Sequence, residues 1–191
     1  PFKVCTFDCV YCQLGRTTCK TVERMAYVPT VEVITELKAA LESGPEPDYI
    51  GLAGSGEPTL NGDIGEVIRA VKALTQIPVA VITNGSLLWM PEVRKALMKA
   101  DLVLPSLDAG DVETFQFVNR PQESLVFERM VEGIAAFTRD FPGEVWLEVF
   151  LLAGLNDSHP SIERLAALSR RIDPARIQLN TVTRPPAEGL A

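Results

Sequence analysis

The spacing of apolar residues predicts an alternation of helices and short strands along the chain. Ile64, Val67 and Val71, for example, keep the 3.6-residue period of an amphipathic helix, and Asn61 is positioned to cap that helix. The same period predicts helices at 31–43, 61–74, 91–98, 115–118, 124–137 and 161–172. Short apolar runs predict five strands at 49–53, 78–82, 102–105, 145–152 and 177–182.

Strands and helices follow one another in strict alternation, with no sign of a hairpin between two strands. Because parallel strands need crossover helices, this order predicts an α/β fold in which helices cover a parallel sheet. We expect the sheet to curl into a partial or full barrel. With 191 residues and 47% hydrophobic content, the chain is expected to form one domain around one core.

The charge balance excludes some classes of function. The chain has 18 basic and 25 acidic residues, a formal net charge of −7, and no basic tract, which argues against a large nucleic-acid surface. No apolar run reaches the ~18 residues of a membrane helix, and no signal peptide is recognisable, so a soluble cytoplasmic protein is expected. A single histidine, His159, leaves little material for Ser-His-Asp hydrolysis, and we interpret it as a surface residue.

Three of the four cysteines lie in one short stretch near the start of the chain. Cys5, Cys9 and Cys12 form a Cys-x-x-x-Cys-x-x-Cys pattern, with Tyr11 directly before the third cysteine. A structural zinc site or an ordinary electron-transfer cluster needs four protein ligands, whereas three leave one metal position open for a substrate or cofactor. The alternative is a non-catalytic zinc or electron-transfer site with Cys19 as the fourth ligand. We interpret Cys19 as a spare cysteine instead.

Glycine and small polar residues follow four of the predicted strands. In parallel α/β barrels, functional residues collect at the carboxyl ends of the strands. Each segment alone is also typical of an ordinary turn between a strand and a helix. The segments are Gly54-Ser55-Gly56-Glu57-Pro58, Thr83-Asn84-Gly85, Ser106-Leu107-Asp108 and Gly154-Leu155-Asn156-Asp157.

Taken together, the cysteine pattern, the Ser-Gly-Glu-Pro segment and the strand–helix order resemble the radical S-adenosylmethionine (SAM) superfamily. The stretches around Cys5–Thr18 and Gly54–Leu60 are most similar to iron–sulfur oxidoreductases related to the tRNA wyosine synthases. The Gly-Leu-Asn-Asp turn also resembles glycyl-radical activating enzymes. The resemblance implies a partial (β/α)6 barrel whose first strand lies upstream of Pro1. Residues 1–191 would then be a radical SAM core domain, truncated at its N-terminus.

The resemblance implies two cofactors and a set of ligands. A [4Fe-4S] cluster would be held by Cys5, Cys9 and Cys12, and SAM would complete its coordination and yield a 5′-deoxyadenosyl radical. The residues expected to contact SAM are Tyr11 near adenine; Ser55, Gly56 and Glu57 near the amino group; Asn84 in the cleft; Ser106 and Asp108 near the ribose; Arg120 near the carboxylate; and Asn156 near adenosine. Ser55 stands where the family motif has a glycine.

The resemblance also implies a reducing partner, such as a flavodoxin or a ferredoxin. It leaves the substrate open between a small molecule, a tRNA and a protein, and the acidic balance of the chain argues against tRNA. Within the enzyme class, wyosine-type tRNA modification and glycyl-radical activation are the two alternatives. Glu148 lies in a mostly apolar strand, and the sequence assigns it no role.

Overall fold

Five parallel strands form the main sheet in the order in which they occur along the chain. The computed structural model describes residues 3–186 and 188–189. The main sheet runs through β3 (Ile50–Leu52), β4 (Val79–Thr83), β5 (Leu102–Pro105), β6 (Glu144–Leu151) and β7 (Arg176–Thr181). Every neighbouring pair in it is parallel, which confirms the fold predicted from the alternation of helices and strands.

Two further strands of two residues each lie at the cysteine stretch. They are β1 (Val4–Cys5) and β2 (Cys19–Lys20), and they pair in parallel, with Val4 opposite Cys19. A first strand upstream of Pro1 stays a prediction, and the short strand β1 carries the first cysteine itself. Segments of two residues show no periodicity, so apolar patterning does not reveal them.

The helices of the described residues match the six predicted segments, with shifts at their ends. They are α1 (Thr30–Ser43), α2 (Ile64–Leu74), α3 (Pro91–Leu97), α4 (Val112–Val118), α5 (Phe127–Asp140) and α6 (His159–Ile172). Asn61 does not cap α2, because a 3-10 turn at Pro58–Leu60 comes first and Asp63 takes the capping position. None of these helices is long and apolar enough to cross a membrane.

The burial of alternate residues in β6 shows which face of the sheet packs against the core. Val145, Leu147 and Val149 are buried in the cluster that the helices cover. Because successive side chains in a strand point to opposite faces, Trp146, Glu148 and Phe150 lie on the other side of the sheet. We call this second side the inner face.

Candidate cofactor site

The three cysteines of the predicted cluster lie on one loop that begins at the end of β1. Cys5 is buried, Cys9 and Cys12 are half-buried, and none of them forms a disulfide. Backbone hydrogen bonds fix the loop against the end of α4: Asp8 N donates to Asn119 O at 2.9 Å, and Val10 N donates to Val118 O at 2.9 Å. The loop is therefore held in place by a helix more than 100 residues away in sequence.

Each of the three sulfur atoms is approached by a nitrogen donor from a different part of the fold. Asn84 Nδ2 lies 3.6 Å from Cys5 Sγ, Asn119 Nδ2 lies 3.5 Å from Cys9 Sγ, and Lys3 Nζ lies 3.0 Å from Cys12 Sγ. Lys3 is only 2% exposed. Hydrogen bonds to the sulfurs are one of the factors that set the potential of an iron–sulfur cluster. The donors therefore fit three thiolates that hold such a cluster.

Burial raises the pKa of two of the three thiols, those of Cys5 and Cys9. It raises the pKa of Cys5 to about 11, and the carboxylate of Glu57 adds to the effect. Burial also raises the pKa of Cys9, and the nearby Asp108 raises it further. Cluster ligands are thiolates, so binding of a cluster would release the protons of these thiols.

The described residues contain no group of three or more His, Cys, Asp or Glu side chains that could hold a single metal ion. A cubane cluster makes a different demand, because each cysteine binds a different iron and the three sulfurs need not converge on one point. A closed zinc site needs four ligands around one ion. The arrangement of Cys5, Cys9 and Cys12 is therefore compatible with a cluster.

Gly56 lies where no side chain fits. A Cβ atom added there would be 1.7 Å from Val4 O, and the next residue, Glu57, donates its N–H to the same oxygen at 3.1 Å. The backbone at Gly56 therefore lies in close contact with the backbone of β1. The contact fixes Ser55 and Gly56, and with them any backbone group offered to SAM, beside the cysteine loop.

The carboxylate of Glu57 is used inside the protein. Its Oε1 accepts hydrogen bonds from Thr59 N, Thr59 Oγ1 and Thr83 Oγ1 at 3.0, 2.6 and 2.6 Å, and its Oε2 accepts one from Asn84 N at 2.8 Å. Burial raises the pKa of Glu57, and these hydrogen bonds oppose the rise. Glu57 therefore ties the end of β4 to the turn after β3.

Asn84 connects this corner to the cysteines. Its Nδ2 donates to Thr6 Oγ1 at 2.7 Å in addition to its contact with Cys5, and its Oδ1 accepts from Ser86 N at 3.0 Å. Thr6 in turn shares a hydrogen bond of 2.7 Å with the Ser86 hydroxyl. The side chain of Asn84 is thus a support for the first cysteine.

Asp108 holds the other side of the loop. Its Oδ2 accepts from Tyr11 OH at 2.6 Å and from Asn119 Nδ2 at 2.8 Å, and its Oδ1 accepts from Phe150 N at 3.2 Å. Burial raises the pKa of Asp108, and the hydrogen bonds from Tyr11 and Asn119 oppose the rise. The Tyr11 ring stacks on Phe150 with 4.2 Å between centroids.

Asn156 and Ser106 differ in the number of hydrogen bonds that their side chains form within the protein. Asn156 is fully buried; its Oδ1 accepts from Leu152 N at 2.6 Å, and its Nδ2 donates to Asp108 O and Phe150 O at 2.8 and 2.7 Å. Ser106 is half-buried, and within the described part of the chain its hydroxyl has no hydrogen-bond partner. Ser106 is thus the freer of the two to meet a ligand.

Arg120, which was expected near the SAM carboxylate, forms a bidentate pair with the carboxylate of Glu188. Its guanidinium takes both oxygens of Glu188, and Arg16 Nη1 also contacts Glu188 Oε1 at 2.5 Å. Arg120 has a φ of 46°, in the left-handed region that non-glycine residues rarely adopt. Two cationic side chains therefore meet one carboxylate at the edge of the cysteine loop.

A cavity of about 520 Å³ borders the Gly54–Pro58 segment on the side of α1 and α2. Val33 of α1, Leu52 of β3 and Ile64 of α2 are among its lining residues, and the three clustered cysteines are not. The cavity therefore lies behind the segment, and space for a substrate is expected on the inner face.

Several supporting residues were not found from the sequence. They are Lys3, Thr6, Asn119 and Phe150, and each acts through a contact with the cysteine loop. Only Lys3 could have been noticed in the sequence, because it is a charged residue in an otherwise apolar run, two residues before Cys5. The other three carry no local signal, since their partners are far away in sequence.

The sequence of the chain is similar to those of known proteins. The model of the radical SAM superfamily matches residues 1–166. A protein of Brachyspira hyodysenteriae described as GTPase Obg is 46% identical over 184 residues, which are 96% of this chain and 27% of that protein. A UPF0026 protein of Methanocaldococcus jannaschii is 33% identical over 190 residues, covering 98% of this chain and 59% of that protein. The chain thus spans less than two thirds of either relative.

A solved structure shares the fold. The structure of TYW1 with a lysine-pyruvate adduct bound matches 94% of this chain and 61% of its own with a TM-score of 0.64. The identity of 18% limits this likeness to the fold. Together with the match to the superfamily model, it confirms the resemblance found in the sequence. The chain belongs to the radical SAM superfamily, whose members are enzymes that use a [4Fe-4S] cluster and SAM.

Proposed function

We propose that residues 1–191 are the core domain of an enzyme that cleaves SAM reductively and removes a hydrogen atom from a substrate. Cys5, Cys9 and Cys12 would hold the [4Fe-4S] cluster, and the cluster with SAM would supply the 5′-deoxyadenosyl radical. The observation that carries the proposal is the cysteine loop, in which each sulfur has its own nitrogen donor. A site that only transferred electrons would not need an open iron.

The residues of the chain would bind and orient SAM in different ways. The backbone at Ser55 and Gly56 would accept the amino group, since it is fixed beside the cysteines and Ser55 is exposed. The Ser106 hydroxyl would bind a ribose oxygen. Arg120 would pair with the SAM carboxylate in the bidentate geometry that it shows with Glu188.

Four other predicted contacts would act indirectly. The polar side-chain atoms of Glu57, Asn84, Asp108 and Asn156 are occupied by the hydrogen bonds described above. They would position the backbone and the cysteine loop. Tyr11, already stacked on Phe150, would limit the space for adenine.

The electron donor and the compartment follow from the same chemistry. Reduction of a cluster of this kind requires a low-potential partner, so a flavodoxin or a ferredoxin is the proposed donor. Free thiols and a reducible cluster are suited to a reducing compartment, so the cytoplasm is the proposed location.

The proposal is tested by anaerobic reconstitution with iron and sulfide, followed by addition of dithionite and SAM. Chromatography is expected to detect 5′-deoxyadenosine with the wild type and none with Cys9→Ala. Cys19→Ala is the matched control, and it should keep both the cluster and the nucleoside. A Cys9→Ala protein that still makes the nucleoside would overturn the proposal. A cluster lost in Cys19→Ala would favour a four-cysteine site.

A further inference from the structure

Three polar side chains form a row across the inner face of the sheet. Ser106 forms an isolated bridge with Glu148, and Glu148 is paired in register with Gln178 of β7. Paired residues on neighbouring strands point to the same face, so the three side chains lie side by side. We call them the inner-face row. All three are half-buried.

Aromatic pairs lie on both sides of the row. Two residues towards the carboxyl end of β6, Phe150 stacks on Tyr11 of the cysteine loop at 4.2 Å between ring centroids. Two residues in the other direction, the ring centroid of Trp146 lies 6.5 Å from that of Tyr49. Two strand residues span roughly 7 Å. Glu148 therefore lies between the layer that contacts the cysteine loop and an aromatic layer beneath it.

The Tyr49–Trp146 contact also shows that the inner face is concave. Tyr49 directly precedes β3, and Trp146 lies in β6, with β4 and β5 between these strands in the sheet. Side chains on strands three positions apart meet only if the sheet curls towards its inner face. The row therefore lies on the concave side of the sheet.

Glu148 has no cationic partner on this side. Among residues 3–186 and 188–189, no Lys, Arg or His forms an ion pair with it, and the Arg176 guanidinium instead lies over the Trp146 ring at 4.5 Å. The charged group that acts on Glu148 is the carboxylate of Asp108; burial first, and this charge second, raise the pKa of Glu148, and the side chain of Asn180 opposes the rise as a hydrogen-bond donor. A partly buried carboxylate without a cationic partner is unfavourable.

We propose that Glu148 binds a cationic group of the substrate, a protonated amine or a guanidinium, with Ser106 and Gln178 as neighbouring hydrogen-bonding groups. The inference rests on the proposed function, which makes the inner face the substrate side of the site. A cation there would remove the repulsion between Glu148 and Asp108 and would satisfy the carboxylate. The aromatic layer at Trp146 and Tyr49 is suited to the methylene groups that carry such a cation.

The test uses the reconstituted protein with SAM bound, and cadaverine as the probe. Its binding is measured by isothermal titration calorimetry beside 1,5-pentanediol, which has the same length and no charge. The wild type is expected to bind cadaverine and not the diol. Glu148→Gln is expected to weaken cadaverine binding by about tenfold or more, the loss of one charge-assisted hydrogen bond.

Two variants make the comparison specific. Glu148→Asp keeps the charge and should keep most of the affinity. Glu36→Gln is the matched control, because Glu36 is an exposed carboxylate on α1, a helix outside the sheet. It should bind cadaverine like the wild type. Equal affinity in wild type and Glu148→Gln, equal binding of the diol, or no binding of cadaverine to the wild type would each overturn the inference.

The outcome can be separated from that of the proposed function. Formation of 5′-deoxyadenosine by the wild type is measured on the same samples by chromatography and does not depend on cadaverine. A missing nucleoside contradicts the proposed SAM cleavage. An affinity for cadaverine that does not depend on Glu148 contradicts the cation site alone.

Discussion

Glu57 and Glu148 are both carboxylates withdrawn from solvent, but their surroundings differ. Glu57 is 5% exposed and accepts four hydrogen bonds, from Thr59, Thr83 and Asn84. Glu148 is half-buried and has no ion-pair partner in the described part of the chain. Burial raises the pKa of both, and only at Glu57 do several protein donors oppose that rise.

The difference separates residues that build the site from residues that are free to meet a ligand. At the corner around Glu57 and the cysteine loop, the folded chain satisfies its own polar groups, so this corner is formed before any cofactor arrives. On the inner face, Ser106 and Glu148 are half-buried, and within the described residues Glu148 has no cationic partner. Substitutions at the corner should therefore affect stability and cofactor binding, whereas substitutions on the inner face should affect the substrate.

The largest effect at the corner is expected from Gly56→Ala. The new methyl group would overlap Val4 O and force the turn away from β1. Overpacking of this kind costs about 3 kcal/mol, and we expect a comparable loss in the free energy of unfolding, measured in urea. SAM binding should be lost with it.

Gly54→Ala is the control for this substitution. A Cβ at Gly54 would be no closer than 3.8 Å to another atom, so a change below about 1 kcal/mol is expected. If the two alanine variants were equally stable, the close contact between Gly56 and β1 would not be a real constraint.

A smaller loss is expected from Glu57→Gln. A glutamine side chain has one oxygen that accepts and one NH₂ group that donates. Its NH₂ group would face either Asn84 N or the donors of Thr59 and Thr83, so at least one buried hydrogen bond is lost. An unsatisfied buried group costs about 2 kcal/mol. Urea unfolding measures this loss, and the affinity for SAM is expected to fall with it.

Glu36→Gln, an exposed change on α1, should leave both quantities of the Glu57→Gln test unaltered. A Glu57→Gln protein as stable as the wild type would show that the four hydrogen bonds contribute little.

The smallest effect concerns the potential of the cluster. Lys3 places its ammonium group 3.0 Å from Cys12 Sγ. Reduction adds negative charge to a cluster, so removal of this cation by Lys3→Met should lower the potential by on the order of tens of millivolts. A redox titration followed by electron paramagnetic resonance measures the shift.

Lys20→Met is the control, because the Lys20 ammonium group lies at the backbone oxygens of Arg120 and Pro121. It should leave the potential unchanged. The same potential in wild type and Lys3→Met would mean that Lys3 has no electrostatic role at the cluster.

The sequence predicted the main sheet and the helices well because their patterns are local. The helical period in α2 and the apolar runs of β4 and β5 each extend over enough residues to be recognised. The two-residue strands β1 and β2 have no such pattern and were missed.

The site was predicted in part for a similar reason. The cysteine pattern and the Gly-Glu-Pro segment are each a short continuous stretch, so both can be recognised in the sequence as candidate parts of a cofactor site. The contact between Asn119 and Cys9 joins residues 110 positions apart, and the role proposed for Glu148 likewise depends on neighbours in other strands, so neither is visible in the sequence. Asp108 lies at the end of a strand, where a carboxylate can either bind a ligand or accept a hydrogen bond from another side chain. The sequence does not distinguish these two cases, and in the structure Asp108 accepts from Tyr11 OH.

The central claim is that three cysteines hold the cluster and leave one iron open to SAM. Electron paramagnetic resonance of the dithionite-reduced, reconstituted protein, recorded with and without SAM, tests this claim most directly. SAM is expected to change the spectrum of the cluster, and SAM labelled with ¹⁷O in its carboxylate is expected to show a hyperfine coupling to it. A reduced cluster whose spectrum is identical with and without SAM would contradict the claim.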